Sequence, residues 1–255
     1  MSADKNDTFF VGYLNTPATL KKFYWPLVVL LIGGCAFLGY WLGAQQKSEV
    51  PAIWNVGTDT EMQGFLTLTP YPVLHRIHPE DSSKIESVLL VNQGKYSAEK
   101  AAAGLDQKAV SVTGSLISRG GWTMLEVSSP DNFSVQSNPD LTEIQKSLET
   151  RSLGAITLNG EIADSKCFLG VMKPGAGKIH KACAEVCLLG GIPSMLVAKD
   201  DDGNKYGYVL TLADGSAAST TIAGYTGESV QVTGELQQQG DLLFIKMNND
   251  GLKLL

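Results

Sequence analysis

The chain has 255 residues, 44% of them hydrophobic, and a formal net charge of −6. That length suits one large domain or two small ones with proper cores. The acidic balance, unbroken by any long basic run, excludes nucleic acid as a general partner.

From Trp25 to Ala44 the chain reads WPLVVLLIGGCAFLGYWLGA, twenty residues without a charge. At helical rise this spans roughly the 30 Å of a bilayer's hydrocarbon core. Phe23, Tyr24 and Trp25 precede it or open it and Tyr40 and Trp41 close it, the aromatic belt of a membrane helix. Lys21 and Lys22 come just before the stretch, whereas Lys47 after it is offset by Glu49. The positive-inside bias therefore predicts a cytoplasmic arm over 1–24, a single inner-membrane span over 25–44 and a periplasmic remainder. A cleaved signal peptide is disfavoured, because Leu42 stands at the minus-three position before Ala44. Without a twin arginine the export is of unfolded chain, which disfavours an iron–sulfur cluster. Cys35 reads as a small apolar filler, and Gly39 and Gly43 form a G-x-x-x-G pair at which a partner helix could approach.

The remainder contains an internal repeat. Val112, Thr113, Gly114, Leu116 and Gly120 recur 120 positions later as Val232, Thr233, Gly234, Leu236 and Gly240. Upstream, GFLTLTP from Gly64 matches GAITLNG from Gly154 at an offset of 90, so the second copy holds about thirty extra residues between these landmarks. Alternating runs at Ala155 to Leu158, Tyr208 to Leu212, Val230 to Thr233 and Leu242 to Met247 read as strands. Turn signals separate them at Asn159-Gly160, Asp202-Gly203, Asp214-Gly215 and Asn249-Asp250-Gly251. The expected fold is all-β behind an N-terminal transmembrane helix, with two small barrels over 45–137 and 153–255. Leu141, Ile144 and Leu148 at helical spacing predict a linker helix over 138–152. The V-x-V-x-G-x-L strand, tight turn and final strand that close each unit resemble the small oligonucleotide-binding-type (OB) barrels of bacterial envelope proteins.

The extra residues of the second unit, 164–193, carry the chemistry. Positions 164–191 hold three of the four cysteines and one of the three histidines. Lys178 to Leu189 reads as a helix ended by Gly190-Gly191 and Pro193. On it His180, Cys183 and Cys187 share one face, and Cys167 could reach them from a loop. Three thiols and an imidazole make a candidate tetrahedral set for zinc or copper and, less readily, iron–sulfur iron. The alternative is a disulfide staple from Cys167 to Cys183 or Cys187, natural in an oxidising compartment but leaving an odd thiol. Lys166, Lys173, Lys178 and Lys181 against Asp164 and Glu185 make positions 164–191 locally positive. They are candidate contacts for an anion or an acidic partner and would lower thiol pKa values.

CAEVC, Cys183 to Cys187, resembles the C-S-E-x-C core of the dinuclear copper site of cytochrome oxidase subunit II and nitrous oxide reductase, in which both thiolates bridge the metals. The chain departs from that pattern at Gly191, where the family has histidine, and at Met195, one residue late for the family's methionine. The resemblance thus implies copper handling without a complete site of that kind. Gly160, Asp164, Cys167, His180, Cys183 and Cys187 also match a group of bacterial envelope domains with an OB-like barrel and a cysteine-bearing insertion, which implies fold and compartment.

Other constellations are poorer. His75 and His78, three apart between Pro72 and Pro79, are possible ligands or simply polar. No nucleophile-elbow pattern accompanies any histidine, and Asp200 to Asp202 open a hairpin turn without the further ligands of a calcium loop. The expectation is a non-enzymatic, membrane-anchored subunit or accessory protein of an envelope electron-transfer complex, docked through helix 25–44 and the second barrel and binding metal at Cys167, His180, Cys183 and Cys187. The alternatives are a thiol-disulfide or copper-handling chaperone, and a scaffold with a stapled loop.

Overall fold

A computed structural model describes residues 18–45, 50–137 and 141–255. Two compact units divide the chain, Met1–Glu49 and Val50–Leu255.

In the first unit, helix α1 (Ala18–Gln45) contains Leu20–Gln45, which has a mean hydropathy of 2.1 and is the one helix among the described residues long and apolar enough to cross a membrane. Leu30, Ile32 and Phe37 are exposed on it, a surface that water does not favour and lipid does. The first described residue, Ala18, is already helical, so Lys21 and Lys22 lie within the helix. A signal sequence passes the same test of length and composition.

The second unit begins with β1 (Ala52–Thr67), β2 (Val73–His78), β3 (Asp81–Asn92), β4 (Tyr96–Ser97), β5 (Ala109–Arg119), β6 (Trp122–Val127) and β7 (Phe133–Val135). Helix α2 (Thr142–Ser147) leads into β8 (Arg151–Asp164), α3 (Ser165–Leu169), a 3-10 turn (Lys178–His180), α4 (Lys181–Leu189) and β9 (Ser194–Lys199). β10 (Lys205–Thr211), α5 (Ser219–Ile222), β11 (Ser229–Gln239) and β12 (Leu242–Leu254) complete it. The first barrel closes in the order β1-β2-β3-β6-β5 with β5 back on β1; the second closes as β8-β9-β10-β12-β11 with β11 back on β8. The two circuits are the same. In each the third strand runs parallel to the last, β3 with β6 and β10 with β12, and every other pair in the ring is antiparallel. This is the circuit of an OB-like barrel, present twice.

Register explains the repeated letters. A Cβ at Gly114 would sit 2.5 Å from the Glu126 carbonyl oxygen, and one at Gly234 would overlap the Lys246 carbonyl oxygen. Twelve residues separate glycine and obstruction in both copies, so the strands approach closely at equivalent points where only glycine fits. The upstream match is different. Gly64 faces Val110 across β1 and β5, and Gly160 faces Val230 across β8 and β11. The structural counterpart of Gly64 is therefore Gly160, not Gly154, and the offset is 96. Phe65 pairs with His75 and Glu161 with Val197, separations of 10 and 36 residues. The second barrel thus has 26 extra residues, all in its β8–β9 connection. Asn159-Gly160, expected as a turn, lies inside β8, because a Cβ there would meet the Val197 carbonyl at 2.6 Å. Asn249-Asp250-Gly251 likewise lies within β12, where the ladder skips from Val232↔Leu252 to Gly234↔Met247, a bulge.

The linker helix is shorter than 138–152. α2 ends at Ser147 and Arg151 already pairs with Gln238 in β8, while 138–140 lie outside the described residues. Ile144 is buried, as the helical spacing implied.

Each barrel has its own core, Leu66, Leu74, Val88, Leu90, Val110 and Leu125 in the first and Ile162, Leu196, Leu210, Val230, Val232 and Ile245 in the second. A third cluster lies between the barrels. Tyr71, Val73, Leu89, Ile117 and Met124 there meet Phe168, Leu169, Ile192, Met195, Val209 and Phe244. Burying such side chains is worth about 1.5–3 kcal/mol each, so the barrels are docked as one body.

His75 is part of the first barrel and not a ligand. It is fully buried, with Nδ1 3.0 Å from Ser87 Oγ and Nε2 3.0 Å from Thr67 Oγ1. Burial pushes its pKa down to about 4. The unfolded chain then binds the extra proton between about pH 6.5 and pH 4, so stability falls as pH falls through that window, by about 3 kcal/mol in all. Urea unfolding across this range is expected to show the loss, and His75→Gln to flatten it.

Candidate metal centre

The β8–β9 connection starts where Asp164 ends β8 and caps α3. Its Oδ1 accepts from the Cys167 backbone N–H at 2.8 Å, which fixes Cys167 one turn into a helix rather than on a loop. The chain then crosses 170–177, and Gly177 donates to Glu161. The 3-10 turn delivers His180, the residue immediately before α4. α4 carries Cys183 and Cys187 and stops at Gly190, whose N–H reaches back to Val186 and Leu188.

These segments bring the predicted residues together. Donor atoms of Cys167, His180 and Cys183 all lie within 4.8 Å of one another, and so do those of Asp164, Cys167 and Cys187. Cys167 belongs to both sets. Asp164 (0% exposed), Cys187 (1%), His180 (5%) and Cys167 (8%) are buried, and Cys183 is half-buried, so the cluster opens to solvent on the Cys183 side. All three cysteines are free thiols.

Three contacts shape the chemistry. His180 Nε2 lies 3.3 Å from Asp164 Oδ2. With the ring proton on Nε2, the Nδ1 lone pair is the ligand, the carboxylate–histidine arrangement common at metal sites. Cys167 gives its thiol hydrogen bond to Cys187; that bond, helped by burial, pushes the Cys167 pKa far up, and the same bond pulls the Cys187 pKa down. Lys95, from the first barrel, donates from Nζ to the Cys183 carbonyl at 2.8 Å, to Cys183 Sγ at 2.8 Å and to Cys187 Sγ at 3.5 Å. Burial works against its charge, but the two sulfurs outweigh it and its pKa is raised.

The donors suit a thiophilic cation. Zinc bonds to sulfur at about 2.3 Å and to imidazole nitrogen at about 2.0–2.1 Å, so tetrahedral ligands stand roughly 3.5 Å apart. Donors within 4.8 Å reach that spacing by side-chain shifts of about 1 Å. Three sulfurs and an imidazole against the single carboxylate of Asp164 make the set a poor match for magnesium or calcium, which take all-oxygen shells.

The lysines divide. Lys166 is not on a surface fringe: its side chain is 4% exposed, donates to the Asn92 and Gly94 carbonyls at 2.8 Å each, pairs with Glu126 at 3.2 Å and lies over Trp54. It is a clasp onto the first barrel and not the anion or partner contact expected of it, since a buried ammonium needs such partners. Lys181 and Lys178 face Glu228, at 2.6 and 3.7 Å, and Lys173 is exposed.

The sequence singled out Asp164 as a matching position but not as a donor or as the partner of His180, although an aspartate three residues before Cys167 at a helix start is a local signal. Lys95 had none, because it stands 88 residues from Cys183 and arrives only through docking of the barrels.

No protein-family model and no curated protein matches the chain. Among solved structures, a deletion mutant of the single-stranded DNA binding protein from Thermus aquaticus is similar over 82% of this chain and 89% of that one, at 10% sequence identity and a TM-score of 0.23. Fold and cluster together define a class: an apolar N-terminal helix followed by tandem OB-like barrels, the second carrying a buried Cys/His cluster. The assignment of the barrels stands on their strand circuits.

Proposed function

We propose that this chain is a membrane-anchored, non-catalytic metal-binding protein of the bacterial envelope, holding a zinc or copper ion through Cys167, His180 and Cys183 with Cys187 alongside. The observation that carries it is the convergence of these donors, from α3, the 3-10 turn and α4, inside a connection that the first barrel builds without. Lys21 and Lys22 before the apolar stretch support an N-terminus in the cytoplasm and barrels in the periplasm. The pairing of an anchor helix with a thiolate site supports an accessory role beside a membrane electron-transfer complex, and likeness to envelope domains with a cysteine-bearing insertion fits that compartment. Thiol-disulfide exchange needs an attackable sulfur, and the burial of Cys187 weighs against a cycling Cys183–Cys187 pair.

The test is elemental analysis of full-length protein purified anaerobically in detergent. About one or more equivalents of zinc or copper are expected, falling below about a tenth of that in Cys167→Ser with Cys183→Ser. Metal-free wild type that also fails to take up either ion on reconstitution contradicts the proposal.

A further inference from the structure

The cluster offers more donors than one ion uses, and they fall into two triads with one sulfur in common. Cys167, His180 and Cys183 form the first; Asp164, Cys167 and Cys187 form the second. Resting on the metal-binding reading above, we infer that the site takes two soft cations of the Cu(I) class, bridged by the Cys167 thiolate.

The arrangement meets the demands of such a pair. Cu(I) is selected by thiolates rather than carboxylates, and each triad offers two sulfurs, Cys167 with Cys183 in the first beside His180 and Cys167 with Cys187 in the second, in surroundings that are closed to solvent except beside Cys183. A deprotonated thiolate has lone pairs for two metals, and Cys167 alone belongs to both triads. In the C-S-E-x-C family both bridging sulfurs come from the motif on one segment; here the bridging sulfur comes from α3, and Cys183 and Cys187 of CAEVC stand in separate triads.

Charge favours the same count. Once metal binding has deprotonated the thiols, three thiolates and the Asp164 carboxylate have Lys95 as the ammonium that donates to a sulfur of each triad, Cys183 at 2.8 Å and Cys187 at 3.5 Å. Buried anions in excess of their counter-charge are costly, and two bound cations reduce that excess more than one of the same charge. Each thiol releases its proton to solvent as metal binds. Asp164 serves both triads, holding His180 through Oδ2 at 3.3 Å while standing among the donors of the second.

The experiment titrates full-length, detergent-solubilised, fully reduced protein with Cu(I) under anaerobic conditions against a colorimetric Cu(I) chelator. Wild type is expected to saturate at two equivalents. Cys187→Ala and Cys183→Ala are each expected to saturate at one, and Cys167→Ser to lose tight binding at both, with affinity down at least about a hundredfold. Circular dichroism checks that each variant is folded, and the Cys183 and Cys187 variants carry the test even if Cys167→Ser does not fold. Saturation of wild type at one equivalent, unchanged by Cys187→Ala, overturns the bridged pair while leaving the single-site reading standing. Two equivalents that survive Cys167→Ser in a folded protein overturn the shared sulfur. No tight binding by wild type removes both readings.

Discussion

Lys166→Met is expected to destabilise the barrel unit by about 3–5 kcal/mol, the cost of removing one partner of a buried ion pair. The methionine fills much of the same channel beside Trp54, so the loss is of charge and hydrogen bonds rather than of volume. It leaves the Glu126 carboxylate, 13% exposed, without its cation, and the Asn92 and Gly94 carbonyls without their donor. Arg119 Nη2, bonded to the Gly170 carbonyl at 2.7 Å, still joins α3 to the first barrel. The failure should therefore begin on the Lys166 side, where the connection carrying the cysteines docks. Urea unfolding of the detergent-solubilised chain reads the effect; a shift below about 1 kcal/mol would mean that Lys166 reaches solvent. A Lys166→Met, Glu126→Leu double variant should recover much of the loss, because it removes both charges.

Tyr71→Phe is expected to cost about 2–4 kcal/mol for one oxygen atom. Tyr71 sits between β1 and β2 of the first barrel, and its hydroxyl is buried in the second. It donates to the Leu210 carbonyl at 2.9 Å and accepts from the Ala218 N–H at 3.0 Å. Ser194 and Ser219 hydroxyls stand at 3.1 and 3.0 Å. Because Ser219 also reaches the Ile192 carbonyl at 2.7 Å, Ser194 is the better second donor, beside the Ala218 N–H, to the two lone pairs. Phenylalanine keeps the ring packing and orphans the Leu210 and Ala218 backbone groups, each an unsatisfied buried partner worth about 1–3 kcal/mol. Thermal unfolding followed by circular dichroism would show the loss as a lower Tm; an unchanged Tm would mean that water replaces the hydroxyl.

These two residues show what the sequence carried and what it did not. The twofold V-x-V-T-G-x-L pattern was readable because Val112 and Val232 must enter equivalent cores while Gly114 and Gly234 must admit a neighbouring carbonyl. The location of the cysteine connection was readable as a length difference, though Gly154 was a false landmark: the glycine required by close approach is Gly160. Asn159-Gly160 looks like a turn to any local rule, and only the strand crossing over it reveals why it is not. That His180, Cys183 and Cys187 come together followed from spacing, although the expected helix over Lys178 to Leu189 is a 3-10 turn up to His180 and α-helical only from Lys181. Lys95, Tyr71 and the inward turn of Lys166 depend on how two barrels 120 residues apart pack together, and no local pattern encodes that. Lys166 in particular looked like its neighbours Lys173, Lys178 and Lys181 until Glu126 and Trp54 were placed beside it.

Whether sulfur and imidazole of the β8–β9 connection hold a metal is read out by X-ray absorption at the zinc edge of the zinc-loaded, full-length protein. Sulfur neighbours at about 2.3 Å with at least one nitrogen or oxygen at about 2.0–2.1 Å are expected, and the sulfur shell should shrink in Cys183→Ala. A shell of oxygen and nitrogen alone, unchanged by that substitution, would contradict such a site.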